Sequence, residues 1–262
     1  MHKLIKNLLA IVMAACTCCA NAQFTVIDLT TAEVDAEALV QELLSSNSNM
    51  SISNVSVSGH PRCIGLFRGL DDGEQYGLNM DSAVVLGTGR VTDVVGPNDT
   101  GYTTTAFHTP GDDFLNTLSP QGETFDACAL EFNFQCDSHQ KVRFRYAIGS
   151  EEFKEFVQFE DTDLIGFALN GAKLTRADSI SYLHCGSIYP RPDFCKDFTS
   201  AMFKDRRNAA FIEADTLFRG ASTAYGTKLP GTNHLKLVIA DAMDESFDSW
   251  LFLEGGSLEC SL

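Results

Sequence analysis

From Ser53 onward, apolar residues fall at every second position over much of the chain. Val55 and Val57, then Leu130, Phe132 and Phe134, then Val142, Phe144, Tyr146 and Ile148 alternate with polar neighbours. That is the period of a strand whose two faces meet different surroundings. Leu164 to Leu169, Leu235 to Ile239 and Trp250 to Leu253 are denser apolar runs, suited to central strands. Gly, Pro, Asp and Asn separate the runs, as turns between short strands require. The beginning is different. Thr30 and Glu33 have the spacing of a capping box ahead of Leu39, Val40, Leu43 and Leu44, which repeat at helical intervals. This helix is expected to stop in the Ser/Asn run from Ser45 to Ser51. A second short helix is expected around Asp112 to Leu118, and Ser200 to Ala214 is a further helical candidate. The pattern predicts a mainly β chain: one β-sandwich or jelly roll with an N-terminal helix and a few short helices. No repeat and no linker divides it, so residues 23–262 read as a single domain.

The first 22 residues do not belong to that pattern. Lys3 and Lys6 precede an apolar stretch from Leu8 to Ala15, and Ala20-Asn21-Ala22 supplies a small-x-small cleavage site. The stretch is too short to span a bilayer. A secretory signal peptide over 1–22 is therefore expected, with a soluble mature chain starting at Gln23. Met13-Ala14-Ala15-Cys16 offers an alternative, lipoprotein processing with a lipidated Cys16. The 262 residues carry 35 acidic against 19 basic side chains, a formal charge of −16. Neutralising phosphates takes clustered Lys and Arg, so nucleic acid is excluded as a natural partner, and cations or basic surfaces are favoured.

Export sets how the cysteines are read. Three of nine leave with the leader, and Cys63, Cys128, Cys136, Cys185, Cys195 and Cys260 remain. Six in an oxidising compartment suggest three disulfides. Cys128 and Cys136 lie at opposite ends of one predicted strand, roughly 26 Å apart, against about 5.5 Å between bridged Cα atoms. They cannot pair with each other. Cys185 and Cys195 bracket a Gly/Pro loop whose ends can meet, which leaves Cys63, Cys128, Cys136 and Cys260 to form two more pairs. Three sequons, at Asn49, Asn54 and Asn98, would mark exposed loops if glycosylated.

Several blocks together resemble the choice-of-anchor L domain, a module of secreted and surface-attached proteins. They are Ser53 to Gly59, Ile64 to Phe67, the turn Val85-Leu86-Gly87-Thr88-Gly89, Gly111 to Leu115, and Phe125 to Phe134. The most specific are Phe144 to Val157, whose Ser150-Glu151-Glu152-Phe153-Lys154-Glu155-Phe156-Val157 is similar to the family's acidic signature, and His234 to Ala242 running into Asp248 to Glu254. The resemblance implies an extracellular β-sandwich and implies no reaction. Two departures stand out: Thr162-Asp163 replaces the usual Asn-Asp, and Ala172 to Ala224 matches poorly. The chain ends a few residues past its last predicted strand, so it is expected to act free or to be held by another molecule.

Carboxylates concentrate in two places, Glu151 to Asp163 and Asp241 to Asp248, each where a strand ends. Calcium takes six to eight oxygens at about 2.3–2.6 Å, and two such loops could share one site. Glu151, Glu152, Glu155, Asp163, Asp241, Asp244 and Asp248 are the candidate ligands for Ca²⁺. Solvated surface charge is the plain alternative. The catalytic alternative is an extracellular glycosidase with Glu152 and Asp241 as acid and nucleophile. A single Trp leaves little for a sugar-stacking cleft, and neither a Gly-x-Ser-x-Gly elbow nor a His-Glu-x-x-His motif occurs. The expectation is a secreted, non-enzymatic module for adhesion or for binding an extracellular glycan or protein, with calcium as a structural ion.

Overall fold

The computed structural model describes residues 25–68, 80–95, 102–119, 122–136, 141–151, 163–176, 203–205, 216–218, 222–227 and 230–261. Strands are numbered in chain order. One sheet runs β1 (Thr25–Asp28), β3 (Ile64–Arg68), β4 (Ser82–Gly87), β14 (Ser249–Glu254), β6 (Lys141–Ser150), β11 (Thr216–Phe218) and β10 (Phe203–Asp205). Along this sheet β12 (Ser222–Thr227) and β15 (Glu259–Ser261) also pair with β6, and β9 (Thr175–Arg176) pairs with β12. The second sheet runs β2 (Ser51–Ser58), β5 (Phe125–Gln135), β13 (Asn233–Asp241), β7 (Leu164–Leu169) and β8 (Ala172–Lys173). Neighbouring strands are antiparallel, as in β14 against both β4 and β6. The mainly β architecture and the two facing sheets are those the alternation predicts.

Side chains of one parity meet between the sheets. Leu130, Phe132, Phe134, Leu235, Leu237, Ile239, Ile165 and Phe167 of one sheet pack with Val84, Leu86, Phe144, Tyr146, Ile148, Leu251 and Leu253 of the other. Phe167 makes edge-to-face contacts with Phe144 and Tyr146, at centroid distances of 5.1 and 4.9 Å. The dense apolar runs have a separate cause: the outward faces are covered too. Outward from β4 and β14, Val85, Trp250 and Phe252 lie under Val91 and Val94 of a 3-10 turn, Val91–Val94. Outward from β5 and β13, Ala127, Ala129, Val238 and Ala240 lie under Leu115 of the short helix α2 (Asp113–Asn116). The covered side chains are small because α2 comes close; a Cβ on Gly166 would stand 2.6 Å from Phe114.

Two predicted helical details are corrected. Helix α1 (Ala36–Leu43) is capped by Asp35, whose side chain accepts from the Ala38 amide at 2.8 Å. Thr30 is not the cap, because its amide and hydroxyl both donate to Asp28, turning the chain after β1. Residues 203–205, inside the predicted helix Ser200 to Ala214, form strand β10 paired with β11; the rest of that stretch lies outside the described residues. Ladder pairing has overridden local propensity there.

Cys128 lies on β5 and Cys136 directly follows it. Cys128 is bridged to Cys63 (Cα–Cα 5.9 Å) and Cys136 to Cys260 (6.6 Å). Each bond ties one sheet to the other. Cys185 and Cys195 lie outside the described residues.

Candidate functional site: the acidic end of the sandwich

The alternation that builds the core continues one step past its end, and there the residue types change. Beyond Ile239 the next inward residue of β13 is Asp241, displaced by a bulge between Ile239 and Asp241. Ahead of Ile165, the inward residue of β7 is Asp163, and Ala240 pairs with Leu164, which makes the two aspartates neighbours in register. The facing sheet contributes Thr88 beyond Leu86, Ser150 beyond Ile148 and Ser249 before Leu251. All five are buried. A layer of carboxyl and hydroxyl groups therefore closes one end of an apolar core.

The layer is held by its own hydrogen bonds. Ser249 Oγ donates to Ser150 Oγ at 2.9 Å, and the Ser249 amide donates to Thr88 Oγ1 at 3.1 Å. Asp163 is hydrogen-bonded to Ser249 and to Asp241, and Asp241 also to Thr88. Asp241 Oδ1 is buried and has no hydrogen-bond partner among the described residues.

Burial pushes the Asp163 carboxyl up to about 8, with further repulsion from Asp248 and Asp244 working against the bonds from Ser249 and Asp241. Asp241 is raised well above the usual carboxylate range, first by burial and then by the charge of Asp163. Two carboxyl groups bonded to each other in an apolar setting share a proton rather than both ionise. Unfolded, each would ionise near pH 4. Between about pH 4 and pH 8 the folded chain therefore keeps protons that the unfolded chain has lost, so stability falls as pH rises through that window.

The chain's similarity to known proteins follows the same elements. The sequence model of the choice-of-anchor L domain matches residues 26–259. The chain belongs to the choice-of-anchor L family. No curated protein matches it. The family is one of non-catalytic, extracellular or surface-located β-rich modules. The blocks of this choice-of-anchor L domain that resemble the family most specifically, Phe144 to Val157 and His234 to Ala242 running into Asp248 to Glu254, include the strands that carry Ser150, Asp241 and Ser249 of the polar layer.

Within the domain the seven candidate metal ligands do not form one set. Asp163 and Asp241 are together. Asp248, two residues before Trp250, faces the opposite side of its sheet; its Oδ1 accepts from the Thr105 amide at 2.8 Å, and its carbonyl accepts from the Glu151 amide at 3.1 Å. Burial raises Asp248 to about 7, the Thr105 amide opposing and the charges of Asp93 and Asp126 adding to the rise. Glu151 is buried beside it. Asp244 is exposed, and its Oδ1 accepts the Ser246 amide at 2.9 Å. Glu152 and Glu155 lie outside the described residues. Among the described residues no three His, Cys, Asp or Glu side chains converge with metal-binding spacing. Asn49 and Asn54 are exposed, and Asn54 sits in the β2 irregularity with φ 52°; Asn98 lies outside the described residues.

Residues that the acidic runs did not point to complete the site. Thr88, Ser150 and Ser249 are neutral, but strand parity extended past Leu86, Ile148 and Leu251 finds them. Gly89 is required by its neighbour: a Cβ there would overlap the Asp248 carboxylate. Asp126, with φ 44°, accepts the Phe107 amide at 2.6 Å and the Thr109 amide and hydroxyl. Asp248 and Asp126 thus fasten the extended segment 102–110 across the end of the sandwich.

Proposed function

We propose that this chain is a secreted, non-enzymatic β-sandwich module for extracellular adhesion or partner binding, with Ca²⁺ neutralising its acidic end. The observation that supports the calcium is the buried polar layer, above all the Asp241 oxygen that lacks a hydrogen-bond partner among the described residues. Every donor there is oxygen, the chemistry calcium selects and softer metals do not. Asp163 and Asp241 would hold the ion with help from Thr88 and Ser249, and the ion would take the place of the shared proton. Export through the 1–22 leader, or through lipidation at Cys16, supplies the millimolar calcium such a site needs. The partner is an extracellular glycan or protein surface.

The glycosidase alternative finds no support in the geometry. Asp241 is buried and bonded to Asp163 and Thr88, not open to a substrate. Trp250 is fully buried, so it is no sugar platform. The cleft lined by Arg143, Arg145, Glu254 and Glu259 has its charges joined in pairs, Arg143 with Glu259 and Arg145 with Glu254.

Asp163→Asn and Asp241→Asn, made singly, test the reading by thermal melting. Each amide variant is expected to fold and, in chelator near pH 8, to melt higher than the parent, because the repulsion between two buried carboxylates is gone and an amide needs no proton to be buried there. Each should also lose most of the calcium-dependent rise. A full calcium response in both variants would remove the pair as the site. Folded variants that had lost turnover of a glycan would revive the hydrolase.

A further inference from the structure

Among the described residues, two large apolar side chains stand exposed: Tyr102 at 72% and Met243 at 43%. Both are on the rim of the acidic end. Tyr102 lies beside Phe247, with ring centroids 6.0 Å apart. Their two loops, 102–109 and 242–248, are fastened to each other along their length. The Phe247 amide donates to Thr104 Oγ1 at 3.0 Å and the Asp248 amide to the Thr103 carbonyl at 2.9 Å. The Thr105 amide returns a bond to Asp248, and His108 Nδ1 meets Glu245 at 2.6 Å. Met243 and Phe247 adopt left-handed backbone, φ 76° and 67°, a conformation L-residues keep only where their surroundings hold it. The rim is thus a braced platform and not a frayed loop. An aromatic pair, with an exposed thioether on the loop that carries Phe247, is the composition of a contact surface.

What the platform suits follows from what surrounds it. Asp248, bonded to the Thr105 amide of the rim, lies within electrostatic reach of Asp93, Asp126, Asp163 and Asp241, and Asp244 stands exposed on the 242–248 loop, against Arg90 as the basic group acting on Asp248. One bound divalent ion would leave this end negative. Charges gathered at one end of a protein attract cations over a long range, and an exposed aromatic face there stabilises a guanidinium or ammonium laid on it.

We infer that the rim formed by Tyr102, Met243 and Phe247 is a docking surface for a basic polypeptide segment, with a Lys or Arg side chain lying on the aromatic pair above the carboxylates. This rests on the binding-module reading and names the surface and partner chemistry for it.

The test is fluorescence anisotropy of a labelled Gly/Arg peptide, with a Gly/Glu peptide and a neutral oligosaccharide as comparators, on the secreted chain. The Arg peptide is expected to bind at low salt and to weaken as salt rises, and the Glu peptide not to bind. Tyr102→Ala should weaken the Arg peptide by about fivefold, the loss of one cation–π contact. Tyr102→Phe should restore it, and both variants should melt as the parent does, since the side chain is exposed. Equal binding to Tyr102→Ala and parent would reduce the effect to diffuse charge and overturn the proposal. So would no binding of the Arg peptide, or a neutral oligosaccharide whose binding depends on Tyr102. A natural partner held equally well by the Tyr102→Ala chain would remove this surface and leave the module reading standing, whereas loss of the calcium response in the parent would count against that reading alone.

Discussion

Replacing Cys63 and Cys128 together by alanine is expected to destabilise the domain by about 4 kcal/mol, the chain-entropy value for a loop of this size. The bridge closes a segment of sequence separation 65, from the residue before β3 to the middle of β5. It connects the two sheets at a fully buried position, so both chain entropy and packing oppose its loss. For a domain of this length that is roughly 8–16 °C of melting temperature. Cys136→Ala with Cys260→Ala should cost slightly more, about 5 kcal/mol, because its separation is 124. Denaturant unfolding without reductant measures both. Losses below about 1 kcal/mol in each would mean that the cysteines are reduced in the working protein.

Trp250→Ala should cost about 3–5 kcal/mol, the range for deleting a buried large aromatic. The indole is wholly buried on the outward face of β14, packed with Phe67, Val85 and Phe252. Its Nε1 donates to the Arg90 carbonyl at 3.3 Å, and a Cβ on facing Gly87 would come within 2.8 Å of Cδ1. A glycine is required opposite it, which leaves little room for the site to collapse and fill the cavity. Being the protein's one tryptophan, it also reports directly: its emission should be blue-shifted and shift red on unfolding. A variant of parental stability, or an emission maximum already at the solvent-exposed position, would place the residue at the surface.

Strand periodicity made the sandwich legible, because residues such as Phe132, Phe144 and Leu251 face one shared core at alternate positions. The outer coverings were not legible. Ala127, Ala129 and Gly166 carry no pattern of their own; their size is dictated by α2, which contacts them from elsewhere in the chain. The acidic end was half legible. Charge density pointed to Asp163 and Asp241, but it also gathered Asp244, which is solvated, and Asp248, which faces the other side of its sheet. Composition counts charges along the chain, whereas a site selects by parity and by which strand ends coincide. That is why Thr88 and Ser249 escaped notice while standing two residues from well-predicted core positions. The capping box failed for a local reason, since Thr30 was already bonded to Asp28.

If calcium takes the place of the proton at the buried Asp163–Asp241 pair, as proposed, the melting temperature of the chain shows it most directly. It should be recorded in chelator, in millimolar Ca²⁺ and in millimolar Mg²⁺, near pH 8 and near pH 5 at constant ionic strength. A hundredfold excess of an ion that binds only the folded state adds about 2.7 kcal/mol, so calcium near pH 8 should raise the melting temperature by roughly 5–10 °C. Mg²⁺ should do less, because it demands octahedral geometry and holds its waters. In chelator the chain should melt higher near pH 5 than near pH 8, and the calcium increment should shrink near pH 5, where protons compete for Asp163 and Asp241. A melting temperature unmoved by chelator, calcium or magnesium at both pH values would contradict the claim.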